Sequence, residues 1–126
     1  MTLDEFKTYC MSKAGVTQDY PGKGEAVWMK IGGKMFAMTN VRALKMEGEM
    51  VPTFHFINLK CDPDRAQMLR QKYTSITPGW HQNKTHWNTI LMTKPPAEKL
   101  IKDLIDHSYD LAAASLPKKE RQRLGI

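Results

Sequence analysis

The residues best suited to binding or chemistry lie close together between Pro78 and Asn88. This segment reads PGWHQNKTHWN and places two tryptophans, two histidines, two asparagines and one lysine within eleven positions. One interpretation is structural: a turn leads into a strand, Trp80 and Trp87 anchor the core, and the polar groups bond to the backbone. The same composition also suits a binding surface.

The binding interpretation makes this segment part of a nucleic-acid interface. Lys84 would contact a phosphate, and Gln82 and Asn83 would contact phosphates or base edges. Trp80 would stack on a base, as aromatic side chains do in proteins that bind single strands. Each contact is of a type that proteins use on DNA or RNA.

The histidines and carboxylates of the chain do not predict a catalytic or metal site. His81 and His86 are five residues apart in a loop or strand context, and a third ligand would have to come from elsewhere in the chain. Glu47 and Glu49 lie in a charged loop and are predicted to be solvated. The sequence contains no Gly-x-Ser-x-Gly elbow, Walker A loop or Gly-x-Gly-x-x-Gly fingerprint. We therefore predict a protein that is not an enzyme and holds neither a metal nor a cofactor.

The charge of the chain favours a polyanionic partner. Nineteen Lys and Arg against thirteen Asp and Glu give 126 residues a formal net charge of +6. A positive charge bears on solubility and partners but not on fold. The last ten residues contribute +3, because they contain one glutamate and four basic residues: Lys118, Lys119, Arg121 and Arg123.

The two cysteines and the N-terminal sequence indicate the cellular compartment in which the protein functions. Cys10 and Cys61 are too few for a disulfide framework or a four-thiolate zinc site, and we predict buried free thiols. No secretory signal is recognisable, and no window approaches the roughly 20 apolar residues of a membrane span. We expect a cytoplasmic monomer that does not contact membranes.

Three helices are predicted from caps and apolar spacing. Thr2, with a glutamate three positions on, forms a capping-box pattern for a helix at about 3–14. Asp62 is a good N-cap and Pro63 fits the first position of a second helix. The longest helix is predicted at about 97–115, where leucines and isoleucines recur on one face.

A hairpin is the clearest strand signal. Residues 25–31 and 34–40 are separated by Gly32-Gly33, a pair suited to a tight hairpin turn. The resulting register predicts three facing pairs: Ile31 with Lys34, Met29 with Phe36, and Val27 with Met38. The hairpin is therefore expected to have an apolar base and a basic tip at Lys34.

The remaining chain predicts further strands and their connections. Strands are expected at 53–60 and 86–92, a loop at 15–24, and a break at Thr77–Gly79. Residues 41–52 are expected to form an irregular connection or a ragged edge strand. We predict one α+β domain over 1–116, with a mostly antiparallel sheet flanked by N-terminal, middle and long C-terminal helices. The basic tail, 117–126, follows this domain.

Several short motifs resemble those of one known family, in the family's order and across most of the chain. They are GKMFA at 33–37, NLKCDP at 58–63, PGWH at 78–81, NK at 83–84, HWNT at 86–89 and SYDL at 108–111. The chain is similar in these motifs to the MmcQ/YjbR family. The resemblance implies a small α/β domain with a shape compared to a double-wing DNA-binding fold. It also implies a DNA-binding role, with Lys34 and the Asn83-Lys84 segment at motif positions and no catalytic residues to transfer.

Two functions are consistent with these features. The first is a non-enzymatic protein that binds DNA weakly through its phosphates, using a broad set of residues: Lys34, Arg70, Lys72, Trp80, His81, Asn83, Lys84, Lys118, Lys119, Arg121 and Arg123. The alternative is a small-molecule or protein-binding module, in which Trp80, His81 and His86 line a pocket. A continuous basic face would favour DNA, and scattered charges around a Trp/His pocket would favour a ligand.

Overall fold

Four helices and eight strands form most of the chain, and the computed structural model describes all residues from 1 to 126. The helices are α1 (Leu3–Met11), α2 (Pro63–Lys72), α3 (Glu98–Ala114) and α4 (Lys118–Leu124). The strands are β1 (Val16–Asp19), β2 (Ala26–Ile31), β3 (Lys34–Asn40), β4 (Leu44–Met46), β5 (Glu49–Val51), β6 (Phe56–Lys60), β7 (Ile76–Pro78) and β8 (Trp87–Leu91).

Six strands form one antiparallel sheet in the order β1-β2-β3-β6-β8-β7, and β4 and β5 form a separate small hairpin. The predicted α+β class, with N-terminal, middle and C-terminal helices around a mostly antiparallel sheet, is confirmed. None of the four helices combines the length and apolarity that crossing a bilayer would require.

The predicted helix starts are confirmed in atomic detail. The Thr2 side chain accepts a hydrogen bond from the Glu5 N–H at 3.1 Å, and the Glu5 carboxylate accepts one from the Thr2 N–H at 2.9 Å. The Asp62 carboxylate accepts from the Arg65 N–H at 3.2 Å, with Pro63 opening α2. These contacts satisfy backbone donors that the first helical turn cannot pair.

The β2–β3 hairpin forms as predicted, but most of its predicted register is wrong. Ile31 faces Lys34 as expected, whereas Met29 faces Ala37 and Val27 faces Thr39. The pairing shifts by one residue between Met29 and Lys30. A bulge of this kind adds one unpaired residue to a strand, which periodicity alone does not reveal.

Two short strands were not predicted: β1 lies in the expected loop, and β7 lies at the expected break. β4 and β5 lie within 41–52, where an irregular connection or a ragged edge strand was expected, and they pair with each other and not with the main sheet. β1 and β7 are the two edges of the sheet. Pro78 is tolerated in β7 because an edge strand leaves its outer donors unpaired.

The sheet has a helix-covered face and a second face without helices. Alternate strand residues point to opposite faces. The main core lies between the sheet and α1, α2 and α3, and its largest members include Phe6, Phe36, Met29, Ile57 and Ile101. The second face has a smaller core of Met38, Met46 and Phe56, which strand and loop residues cover: Trp28, Met35, Leu44, Val51, Trp80 and Leu91.

The register also defines two ends of the sheet. Lys60 pairs with Trp87, and Ala37 pairs with Leu59. The turn of the β2–β3 hairpin, the end of β6 and the start of β8 therefore lie at one end, which we call the tip end. The connection after β3 and the start of β6 lie at the opposite end, the far end.

Candidate functional site

At the tip end, the chain after α3 folds back onto the β2–β3 turn. A Cβ placed on Gly32 would come within 2.7 Å of Leu116 and 3.3 Å of Leu124, and Gly32 itself has a φ of +56°. Leu124 also borders Gly15, where a Cβ would lie 3.4 Å away. The predicted tail thus contains a helix, α4, and its Leu124 side chain packs against the main core.

This packing brings basic residues from two distant parts of the sequence together. Lys34 is exposed at the start of β3, two residues beyond Gly32. In α4, Lys118, Lys119 and Arg123 are exposed and Arg121 is half-buried. Arg123 forms an ion pair with Glu120, which lowers the pKa of that carboxyl.

The loop between β7 and β8 lies at the same end of the sheet. β8 is two strands away from β3, which at about 4.8 Å per strand is a lateral distance of roughly 10 Å. Asn83, Lys84 and His86 are exposed in this loop. Asn83 caps a local turn, since its Oδ1 accepts from the Thr85 N–H at 2.9 Å and the His86 N–H at 3.2 Å.

Two residues predicted to bind phosphate, Arg70 of α2 and Lys84 of this loop, also form hydrogen bonds within the protein. Arg70 donates from Nε to Asn88 Oδ1 at 2.6 Å, and its Nη2 donates to the carbonyls of Trp87 and Lys84. Lys84 donates from Nζ to the Gly79 carbonyl at 2.7 Å. These bonds tie α2 to the loop, so Arg70 and Lys84 serve its conformation.

The two tryptophans of the segment have different environments. Trp87 is 7% exposed and Trp80 is half-buried. Glycine is required at position 79, beside Trp87, because a Cβ there would lie 2.7 Å from the Trp87 Cβ. Trp87 is therefore a packing residue of β8, and Trp80 leaves the strand to lie over the second face.

A buried polar network fixes Trp80 in that position. The Trp80 N–H donates to Thr89 Oγ1 at 2.9 Å, and its carbonyl accepts from Asn58 Nδ2 at 2.8 Å. Thr89 Oγ1 donates to Asn58 Oδ1 at 2.6 Å, and both residues are fully buried. Sequence reasoning missed this pair, although a polar residue inside each of two apolar strands was a signal for it.

Lys72 lies apart from the basic residues of the tip end, and the histidines of the β7–β8 loop do not form a metal site. Lys72 is at the end of α2, which leads to β7 at the far end, and its Nζ lies 5.6 Å from the Tyr73 ring centroid. His81 is exposed with a φ of +57°. His81 and His86 belong to no group of three or more His, Cys, Asp or Glu side chains that could hold a metal ion.

The cysteines are buried free thiols, as predicted. Burial raises the pKa of Cys10 to about 12 and also raises the pKa of Cys61. Because the thiolate is the reactive form, neither thiol is activated as a nucleophile at neutral pH.

A cavity of about 260 Å³ opens on the second face toward the far end. It is lined by residues of the β4–β5 hairpin and by two aromatic side chains: Met46, Glu47, Glu49, Val51, His55 and Trp80. Of the residues predicted for a Trp/His pocket, Trp80 lines it, and His81 and His86 do not. His55 and the two glutamates were not predicted as lining residues.

Comparisons with known proteins identify relatives along the whole chain. A family model described as YjbR matches residues 11–111. The uncharacterised protein YjbR of Escherichia coli K12 is 33% identical over 124 residues, which covers 98% of both chains. The uncharacterised protein YbdF of Escherichia coli O157:H7 is 39% identical over 95 residues, 75% of this chain and 70% of that protein.

Solved structures show the same fold. The Deinococcus radiodurans protein DR2400, with a DUF419 domain, has a TM-score of 0.83 at 29% identity, covering 99% of this chain and 88% of that one. A Pseudomonas syringae protein has a TM-score of 0.72 at 28% identity, covering 89% of this chain and 99% of that one. With a family model matching most of its length and a full-length relative at 33% identity, the chain belongs to the YjbR family.

Proposed function

We propose that this protein binds DNA without catalysing a reaction, through phosphate contacts made by its tip end. The observation that carries the proposal is the packing of α4 against the β2–β3 turn, which sets Lys34 beside the bases of α4. Lys34, Lys118 and Lys119 are exposed, and none of them forms an ion pair within the protein. Their charges are available to a polyanion.

The proposed binding is weak and depends little on sequence. Phosphate contacts orient a protein on a duplex but carry no base information. Arg123 forms an ion pair with Glu120. Arg70 and Lys84 form hydrogen bonds with residues of the β7–β8 segment. Three to four contacts correspond to a log–log salt slope of roughly −3, and to binding on the order of micromolar or weaker at physiological salt.

Loop residues extend the proposed surface beside these lysines. Asn83 is exposed two strands away from Lys34 and can donate to a phosphate through its Nδ2. His81 lies in the same exposed loop. We place this function in the cytoplasm, where buried free thiols such as Cys10 and Cys61 stay reduced.

The test is a salt titration with matched charge variants. Fluorescence anisotropy measures the affinity of the full chain for random duplex and single-stranded DNA at several salt concentrations. Lys34→Gln with Lys118→Gln should make the slope shallower by about two. The control variant, Lys45→Gln with Lys94→Gln, makes the same charge change at exposed sites away from the tip end and should leave the slope near its original value.

Two outcomes would oppose the proposal. One is the absence of salt-sensitive binding at low ionic strength. The other is an equal loss of slope in both variants, which would mean that net charge alone drives association. Point substitutions are preferable to deletion of 118–126, since deletion would remove Leu124 from the core and confound binding with folding.

A further inference from the structure

The cavity beside Trp80 has the features of a ligand site of its own. Met46 and Val51 form apolar walls, and the rings of His55 and Trp80 lie nearly parallel, at 16°, with centroids 6.2 Å apart. Its volume of about 260 Å³ is slightly below the roughly 300–1,000 Å³ of most small-molecule pockets. The cavity therefore suits a compact ligand of a few atoms' width.

The backbone of His55 is fixed by two hydrogen bonds, and its ring has a nitrogen without a partner. Its backbone N–H donates to Asn40 Oδ1 at 2.9 Å, and its carbonyl accepts from the Met92 N–H at 2.8 Å. The ring atom Nδ1 is buried and has no hydrogen-bond partner in the protein. Nδ1 has almost no accessible surface, so a ligand donor would reach it only when the imidazole turns about its Cβ–Cγ bond. That contact would offset the roughly 1–3 kcal/mol cost of a buried polar atom without a partner.

The rim of the cavity is negative although the protein carries a net charge of +6. Glu47 and Glu49 are exposed on the β4–β5 hairpin and line the opening. Neither carboxylate forms an ion pair with a lysine or arginine of the protein. Both are free to accept hydrogen bonds from a cation.

One residue of the cavity lining has a left-handed backbone conformation. Three non-glycine residues have a positive φ: Glu47 at 52°, Phe54 at 56° and His81 at 57°. Glu47 lines the cavity, whereas Phe54 packs against the main core and His81 is not a lining residue. The positive φ of Glu47 belongs to the tight Glu47-Gly48 turn between β4 and β5, which places this glutamate at the rim.

We propose that this cavity binds a small organic cation with a flat, N–H-bearing head of the guanidinium class. A guanidinium ion stacks on aromatic rings and carries five donors in one plane. Its face would lie on Trp80, and one edge would donate to Glu47 and Glu49. Another N–H would donate to His55 Nδ1 once that ring has turned toward the cavity. The site lies toward the far end of the sheet, so it is separate from the proposed DNA surface.

The experiment uses n-butylguanidinium as the probe and the full chain labelled with ¹⁵N. Titration should shift the Trp80 indole N–H and the amides of 46–51 along one saturable curve, and Trp80→Phe assigns the indole signal. Tetramethylammonium, which has no N–H, should bind more weakly, and butyrate should not shift these signals. Comparable shifts with tetramethylammonium or butyrate, or no saturable shift at all, would overturn the proposal.

Variants locate the contacts. Glu47→Gln with Glu49→Gln should weaken binding about three- to tenfold, as expected for two exposed charge contacts. Asp64→Asn with Asp110→Asn removes the same charge from the helices and should leave the affinity unchanged. His55→Phe retains a stacked ring but loses the nitrogen, and it should weaken binding about three- to tenfold.

These variants also separate the two sites. Lys34→Gln with Lys118→Gln should leave butylguanidinium binding unaltered, whatever its effect on DNA. Equal affinity of the glutamate variant and the original protein, with well-dispersed spectra for both, would refute a cation site on this rim.

Discussion

Asn58→Ala removes the residue that joins β6 and β8 to the Trp80 segment. Asn58 is fully buried, donates to the Trp80 carbonyl at 2.8 Å and accepts from Thr89 Oγ1 at 2.6 Å. Alanine would leave the part-buried Trp80 carbonyl without its donor and the buried Thr89 hydroxyl without its acceptor. At about 1–3 kcal/mol for each unsatisfied group, the free energy of unfolding should fall by roughly 2–5 kcal/mol.

Urea denaturation followed by circular dichroism measures this loss, with an unchanged m value as the sign of two-state unfolding. Asn83→Ala is the matched control, because Asn83 makes two hydrogen bonds in an exposed turn where water can replace them. It should cost about 1 kcal/mol or less. A loss below about 1 kcal/mol for Asn58→Ala would show that the buried network does not hold the loop, and the reasoning would fail.

A double-mutant cycle tests whether the network acts as a unit. Thr89→Val removes the hydroxyl that contacts both Asn58 and the Trp80 N–H. Since each single change already breaks the Asn58–Thr89 bond, the double variant should lose less than the sum of the two, by about 1–2 kcal/mol. Simple additivity would contradict direct coupling between these side chains.

Two further changes test the packing of α4 and the contact between α1 and α3. Gly32→Ala should lower the free energy of unfolding by about 1–3 kcal/mol in thermal or urea melts, because its Cβ would lie 2.7 Å from Leu116 at a φ of +56°; a neutral result would contradict this close approach. Burial of Asp106 raises its pKa, but hydrogen bonds from Lys13 and Tyr9 outweigh it and leave the pKa below its ordinary value. This contact therefore stabilises the protein at neutral pH, and its contribution is lost as the pH falls through the lowered pKa. Asp106→Asn should flatten the acid side of a curve of unfolding free energy against pH. A variant whose acid side is as steep as that of the original protein would contradict this assignment.

The elements with strong local signals were predictable from sequence. The capping pattern at Thr2, the Asp62-Pro63 start of α2 and the Gly32-Gly33 turn depend on residues within a few positions of each other. Local chemistry fixes these features wherever the segment lies in the fold. The register of β2 on β3 was not predictable, because the irregularity at Met29 reflects how both strands pack between their neighbours.

The edge strands β1 and β7 could not be predicted from the sequence for a related reason. The β1 residues are mostly exposed, so no apolar alternation marks them, and Val16 is the only half-buried member. β7 contains a proline next to a glycine, which ordinarily indicates a break. Both strands form because β2 and β8 offer them unpaired backbone groups, which a sequence pattern does not show.

The position of a binding residue was predictable where it depends on neighbours in the sequence, and not where it depends on contacts between distant segments. Lys34 was predictable as an exposed basic tip because the turn alone sets its position. The bonds of Arg70 to the β7–β8 loop were not predictable, since the two segments meet only after α2 packs beside β8. Glu47 and Glu49 are exposed as predicted, but their place on the rim of a cavity depends on contact between a hairpin and a loop far apart in sequence.

The segment after β7 links the two proposed sites and gives Asn58 a wider role. Trp80, at the start of this segment, lines the cation cavity, and Asn83 lies at the tip end with the proposed DNA surface. Lys34 and Glu47 each belong to one site, so their substitution should affect one ligand. Asn58 fixes the backbone of Trp80 and touches neither proposed ligand. Its loss should therefore weaken cation binding by displacing the stacking ring, and should change DNA binding less, because Lys34 and α4 are held by the separate Gly32 contact.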